Sequence, residues 1–206
     1  PSQTARLVSD LAEACKLLAV RDPECKQLFN RYSTKTAALI GDPALCMCQH
    51  GTVTIQASEL TLRRSIGLNL AAHGWRALAV LKQALPSFLE FIDWLDRHRD
   101  IEFVYFLHHD LERPVVEMLR DHGLRMRVVD ADPVSMLDEY SKMDLVICQM
   151  LHSCIFAANV CVPFLNIAYD TKSIAFADLL GVPECALSYE VADPTTLSER
   201  FERLYD

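Results

Sequence analysis

The stretch Asp144-Leu145-Val146-Ile147-Cys148-Gln149-Met150-Leu151-His152-Ser153 decides how the rest of the chain is read. Its apolar start has the composition of a strand buried on both faces. Gln149 and Met150 fit a tight turn, and His152 and Ser153 open a helix. In an open α/β sheet, ligands bind at the edge where strands hand over to helices. The free N–H groups of a helix's first turn favour anions there. Histidine titrates near neutral pH, so His152 is a catalytic candidate. Ser153 is either a ligand contact or a helix cap.

Working outward, the same alternation repeats. Strands are expected at Ser65–Leu70, Glu102–Leu107, Met126–Val129 and Phe164–Ala168. Helices are expected at Leu111–His122, Pro133–Lys142, His152–Val160, Lys172–Leu180 and Pro194–Leu204. Trp75–His98 reads as a long amphipathic helix with Leu78, Leu81, Leu85, Leu89, Ile92 and Leu95 inward, kinked or split at Pro86. Strands alternating with helices of this length imply a doubly wound, mostly parallel α/β sheet, Rossmann-like in organisation.

The first sixty residues are less regular. Ala5–Leu18 has helical periodicity, with Leu7, Leu11, Ala14 and Leu18 on one face. A short strand follows at Leu17–Val20. Asp22 then caps a helix that has Pro23 at its first position. Thr36–Ile40 reads as a strand ended by Gly41-Asp42-Pro43, and residues 46–62 read as a linker. Residues 1–206 are expected to form a single α/β domain. Residues 1–60 could instead be the end of a truncated N-terminal domain, with 64–206 as the Rossmann-like part.

Each strand's carboxyl end brings polar residues to the same edge. They are Asn69, His73 and Gly74; His108, His109 and Asp110; Gln149, His152 and Ser153; and Tyr169, Asp170, Thr171 and Lys172. Arg21-Asp22 and Asp42 follow the two N-terminal strands. Loops are polar in any case, and Asp110 and Asp22 have a sufficient role as caps. Lys172 is more telling, because a cation in a helix's first turn opposes the macrodipole.

The bulk chemistry narrows the field. A net charge of −8 argues against nucleic acid or a membrane surface as partner. No apolar run is long enough for a transmembrane segment. Pro1-Ser2-Gln3-Thr4-Ala5-Arg6 resembles no signal peptide and lacks an initiator Met, so a trimmed or excised domain is expected. Eight cysteines, mostly in apolar runs, are expected as reduced buried thiols of a cytoplasmic protein. Cys46-Met47-Cys48 has no second Cys/His pair at metal-site spacing, so no metal is expected. No G-x-G-x-x-G, Walker or G-x-S-x-G sequence occurs, which disfavours nicotinamide, P-loop and α/β-hydrolase chemistry.

Four segments together resemble the polysaccharide pyruvyl transferase family. They are Val20-Arg21-Asp22-Pro23-Glu24-Cys25 with Gly41-Asp42-Pro43-Ala44; Ile66-Gly67-Leu68-Asn69; Leu151-His152-Ser153-Cys154-Ile155-Phe156-Ala157; and Val162-Pro163-Phe164 through Ile167-Ala168-Tyr169-Asp170-Thr171-Lys172. The resemblance implies a glycosyltransferase-B-like fold, of which this chain would be the C-terminal, donor-side portion. It implies transfer of a pyruvyl group from phosphoenolpyruvate to a glycan hydroxyl, with no metal or organic cofactor. Its partners would be a small anionic donor and a glycan acceptor, with an absent N-terminal half or a second copy completing the enzyme. Carried over residue by residue, His152 would be the general acid that protonates the enolpyruvyl methylene. Arg21 would contact the donor's phosphate or carboxylate, and Ser153, Lys172, Asn69, His108, His109 and Tyr169 would complete the donor site. One departure stands out: the family's Arg two residues before the His is here Met150. Loss of a guanidinium from an anion site costs on the order of several kcal/mol. Another glycosyltransferase-B-type activity with a nucleotide-sugar donor, or a non-catalytic binding module, are the competing readings.

Overall fold

The computed structural model describes residues 2–50, 64–72 and 74–205, with the backbone alone for 48–50 and Arg76. His73 and most of the expected linker at 46–62 lie outside the described residues. The start of that linker, within Pro43–His50, is a 3-10 helix. The chain divides into two compact units, Pro1–Met47 and Cys48–Asp206.

The N-terminal unit is a small parallel pair bridged by a helix. Strand β1 (Ala19–Val20) pairs with β2 (Ala38–Leu39), and α2 (Pro23–Asn30) connects them. Asp22 caps α2 by accepting from the Cys25 N–H at 2.7 Å, as Pro at the first helical position had indicated. Helix α1 (Gln3–Ala14) is capped by Ser2. Its inward face corrects the expected leucine stripe. Ala5 and Ala12, two turns apart, are buried, whereas Leu7 and Leu11 on the other side are exposed. The Lys35 ammonium donates to the Glu13 and Cys15 carbonyls, satisfying acceptors that the end of α1 leaves open.

The C-terminal unit is a six-stranded, all-parallel sheet. Its strands are β3 (Arg64–Asn69), β4 (Ile101–Phe106), β5 (Met126–Val129), β6 (Leu145–Cys148), β7 (Phe164–Ala168) and β8 (Ala186–Ser188). They lie in the order β5-β4-β3-β6-β7-β8. The order runs outward one way from β3 and then outward the other way from β6. Between those two strands the winding reverses, and a doubly wound sheet has its ligand crevice there. Four-residue β6 is buried throughout, as a strand covered on both faces must be.

Helices α3 (Trp75–His98), α4 (Arg113–Asp121), α5 (Pro133–Tyr140), α6 (Leu151–Asn159), α7 (Thr171–Leu180) and α8 (Pro194–Tyr205) cover the sheet. Helix α3 runs through Pro86 without a break, against expectation. Proline there removes one backbone donor, and the buried Phe88, Phe91, Ile92 and Leu95 hold the following turns to the core. Leu78, expected inward, is exposed. Phe91 meets Phe201 of α8 edge to face at 6.0 Å.

One glycine position is set by close approach. A Cβ on Gly67 in β3 would lie 2.7 Å from Cε2 of Phe106 and 3.1 Å from Cγ2 of Val146. The described cysteines are free thiols. Cys148, Cys154 and Cys185 are buried, but Cys15, Cys25, Cys46 and Cys161 are exposed, which corrects the expected general burial. Among the described residues no helix is long and apolar enough to cross a membrane.

Candidate functional site

The candidate site forms where β3, β4, β6 and β7 end. Strand β6 hands over to α6 through Gln149 and Met150. The Gln149 N–H donates to the Asn69 carbonyl at 2.9 Å, and its side-chain Oε1 accepts from the Ala71 N–H at 3.1 Å. This residue therefore ties the β6–α6 turn to the β3–α3 loop across the crevice. Met150 is the N-cap of α6 and gives it no side-chain cap. The first N–H groups of α6 and the dipole behind them are thus presented at the edge.

His152, in the first turn of α6, is exposed. No hydrogen bond or ion pair holds its ring among the described residues. Ser153, its neighbour, is fully buried and faces the domain interior. Its Oγ donates to Asn69 Oδ1 at 2.9 Å and lies 3.1 Å from His108 Nε2. Asn69, also fully buried, uses its amide group to donate to the Phe106 carbonyl and to Glu112 Oε2, each at 3.0 Å. Glu112 Oε2 also accepts from the His108 N–H at 3.1 Å. His108 Nε2 lies 2.9 Å from the Tyr140 hydroxyl. Asn69, Ser153, His108 and Glu112 therefore close a ring that joins β3, the loop after β4 and the start of α6.

Burial sets the electrostatics of this ring. Glu112 is a fully buried carboxyl whose Oε1 meets no hydrogen-bond partner among the described residues. Desolvation pushes its pKa up to about 7, against the pull of the N–H groups that donate to it. Desolvation pushes His108 down to about 4, and the nearby charge of His152 acts the same way. Burial raises the hydroxyls of Tyr105 and Tyr140 above the usual phenol range. His108 is accordingly neutral at physiological pH.

The remaining candidates fall around the rim. His109 is exposed and its Nδ1 accepts from the Leu111 N–H, capping the 3-10 turn Asp110–Glu112. Tyr169 is partly buried and packs against a small cluster formed by Ala71, Ala77 and Met150. Lys172 is exposed in the first turn of α7, 3.7 Å from Asp170, the cap of that helix. Arg21 lies in the N-terminal unit, paired with Asp42 at 3.2 Å and with Asp22 at 3.6 Å. Among the described residues no group of three or more His, Cys, Asp or Glu side chains could hold a metal ion.

Sequence reasoning named Asn69, His108 and Ser153 but missed Glu112 and Tyr140. In the sequence Glu112 is an ordinary member of the helix expected from Leu111. The signal that could have found it is the helix-starting pair Arg113-Pro114 directly after it, which makes Glu112 a loop-to-helix junction beside the His108 strand end.

This is a mostly parallel α/β protein of the glycosyltransferase-B type, with its polar residues gathered at the strand carboxyl ends. The model of the polysaccharide pyruvyl transferase family matches residues 1–171. The chain belongs to that family. The matched stretch ends at the first residue of α7, so Lys172 lies one residue beyond it. The comparison with curated proteins returns no match.

Solved structures bear out the fold. S. aureus MnaA, in a co-structure with UDP, is 12% identical with a TM-score of 0.61, over 95% of this chain and 54% of that one. A putative UDP-N-acetylglucosamine 2-epimerase from Listeria monocytogenes is 17% identical with a TM-score of 0.57, over 89% of this chain and 49% of that one. The accessory secretory protein 1, 2 and 3 structure from Streptococcus pneumoniae is 12% identical with a TM-score of 0.51, covering 100% of this chain and 44% of that one. The chain thus spans about half the length of the structures it matches.

Proposed function

We propose that the chain is the donor-side part of a glycan-modifying transferase that moves a pyruvyl group from phosphoenolpyruvate to glycan hydroxyls. The observation that carries this reading is the exposed imidazole of His152 at the start of α6, beside the sheet's switch point. It is joined to membership of the pyruvyl transferase family.

In the proposed reaction, His152 as imidazolium gives its proton to the methylene carbon of the donor, which becomes a methyl group. The adjacent carbon becomes electron-poor and bonds to a glycan hydroxyl oxygen, whose proton returns to the imidazole. The bridging oxygen then leaves with phosphate as a second hydroxyl closes the ketal and releases its proton. Phosphate and carboxylate are anionic throughout, so the N–H groups at the start of α6, which has no side-chain cap, supply the complementary field with Lys172. His109 and Tyr169 stand at the rim, where a donor contact is proposed. Arg21 belongs to the N-terminal unit, and its donor contact is a separate proposal.

The test is calorimetric binding of phosphoenolpyruvate, followed by turnover with a glycan acceptor, in wild type and His152→Ala. Retained donor affinity with turnover reduced at least about a hundredfold supports the acid role. Unchanged turnover removes it. Met150 favours one further reading, a nucleotide-sugar donor, since the site lacks the cation at that position. Titration with UDP-sugars in place of phosphoenolpyruvate separates the two.

A further inference from the structure

We propose that Glu112 and Asn69 are positioning residues of this site, holding His108 as the Nε2–H imidazole and pinning the first turn of α6 from which His152 projects. The inference deepens the proposed function, since it rests on His152 as the acid.

Donor counting carries it. The Asn69 amide has two hydrogens, and both are spent, on the Phe106 carbonyl and on Glu112 Oε2. That fixes which way the amide points: Oδ1 must face Ser153. The Ser153 hydroxyl has a single hydrogen, and Oδ1 takes it. At 3.1 Å from His108 Nε2, Ser153 Oγ then has only a lone pair to offer. A bare Nε2 could take the Tyr140 hydrogen but would set two lone pairs against each other at Ser153, whereas an Nε2–H can be shared by both oxygens, Tyr140 at 2.9 Å and Ser153 at 3.1 Å, so Nε2 carries the hydrogen. Glu112 closes the circuit by accepting from the His108 main-chain N–H with the same oxygen that orients Asn69. Every side chain in this order is set by the one before it, and the order starts at Glu112.

The arrangement matters because of what surrounds His108. Glu112 faces it from the 3-10 turn, Tyr140 from α5 and His152 from α6, while Tyr105 of β4 lies near Glu112. Phe156 of α6 stands 5.3 Å from its ring. A second imidazolium at His108 would repel the proton that His152 needs. The apolar surround is what keeps His108 uncharged.

The experiment is a pH titration of histidine ring resonances with long-range proton–nitrogen correlation, on the ligand-free protein. In wild type His108 should show the Nε2–H form and no midpoint above about pH 5. In Asn69→Ala and Glu112→Ala it should show mixed tautomers. Glu112→Gln should restore the wild-type pattern relative to Glu112→Ala, because an amide oxygen can accept the same two N–H groups. Ser153→Ala deletes one oxygen only and carries the test if Glu112→Ala does not fold. A wild-type tautomer in Asn69→Ala and Ser153→Ala would overturn the proposal.

A second readout is turnover itself. With the first turn of α6 no longer pinned by Asn69, kcat should fall more than KM rises in Asn69→Ala. Changed His108 resonances without any turnover of phosphoenolpyruvate would keep the positioning role and discard the donor. Turnover with unchanged His108 resonances would do the reverse.

Discussion

Tyr169 packs against the small apolar cluster in which Met150 is buried between Ala71 and Ala77. The position where the family resemblance implies a guanidinium is therefore filled here by a thioether with only 5% of its surface exposed. Apolar packing surrounds the space that the expected cation would occupy.

Met150→Arg should consequently have two opposite effects. Burying a guanidinium among Ala71, Ala77 and Tyr169 should cost stability of roughly 1–3 kcal/mol, read as a lower melting temperature. If the edge receives an anionic donor, the same variant should bind phosphoenolpyruvate more tightly than wild type in calorimetry. Lower stability with no gain in affinity would argue against a phosphate at this edge.

The Glu112 carboxyl gives a pH signature. Its pKa in the folded protein is raised from the ordinary 4.5 to about 7, so its favourable contribution is complete below 4.5 and lost as pH rises through 7. His108 is lowered from 6.5 to about 4, so its contribution is complete above 6.5 and lost as pH falls through 4. The two slopes oppose each other and nearly cancel between 4.5 and 6.5. Glu112→Gln removes one of them. Relative to wild type it should gain roughly 3 kcal/mol of stability between pH 4.5 and pH 7, measured by urea unfolding. A constant difference across that range would mean that Glu112 ionises as an ordinary carboxyl does.

Gly67→Ala should destabilise by overpacking. The added methyl meets Phe106 at 2.7 Å, and Phe106 cannot easily retreat because its ring stacks on Tyr140 at a centroid distance of 3.8 Å. The expected loss is about 1–3 kcal/mol. Displacement should also pass through Tyr140 to His108, its hydrogen-bond neighbour. A wild-type melting temperature would show that the Phe106 ring has room to move.

Lys172 should act on the donor through a screened field. Its side chain is exposed and shares its charge with Asp170. Lys172→Ala should weaken phosphoenolpyruvate binding by about threefold or more at low salt, with the difference shrinking as ionic strength rises. Salt-independent weakening would instead indicate a direct, desolvated contact.

The fold was legible because its main signals are periodic. Apolar runs such as Leu145–Cys148 and Phe164–Ala168 marked strands almost to the residue. Strand β8 escaped notice because three residues of mixed burial make no pattern. The inward faces were read less well. Leu7, Leu11 and Leu78 are apolar but exposed, since hydrophobicity marks a stripe without saying which side of it the rest of the chain covers. At the site, polar residues at strand ends pointed to Asn69, His108 and Ser153. Glu112 and Tyr140 stayed hidden because their burial depends on strands far away in sequence. An acidic residue at the start of a helix looks well placed in water through the macrodipole alone.

The strand order carries a last consequence. Strands β3, β4 and β5 are consecutive neighbours, and so are β6, β7 and β8; among the described residues the strand pairing between the two trios is that of β3 with β6. That seam is fastened at both ends. At one end the Asp144 carboxylate accepts from the Ser65 N–H at 2.8 Å, 79 residues away in sequence. At the other, Ser153 reaches Asn69 across 84 residues. Neither trio holds the site by itself. The Asn69–Ser153 hydrogen bond, and the ring it completes, come into being only when the two halves of the sheet have been stitched together.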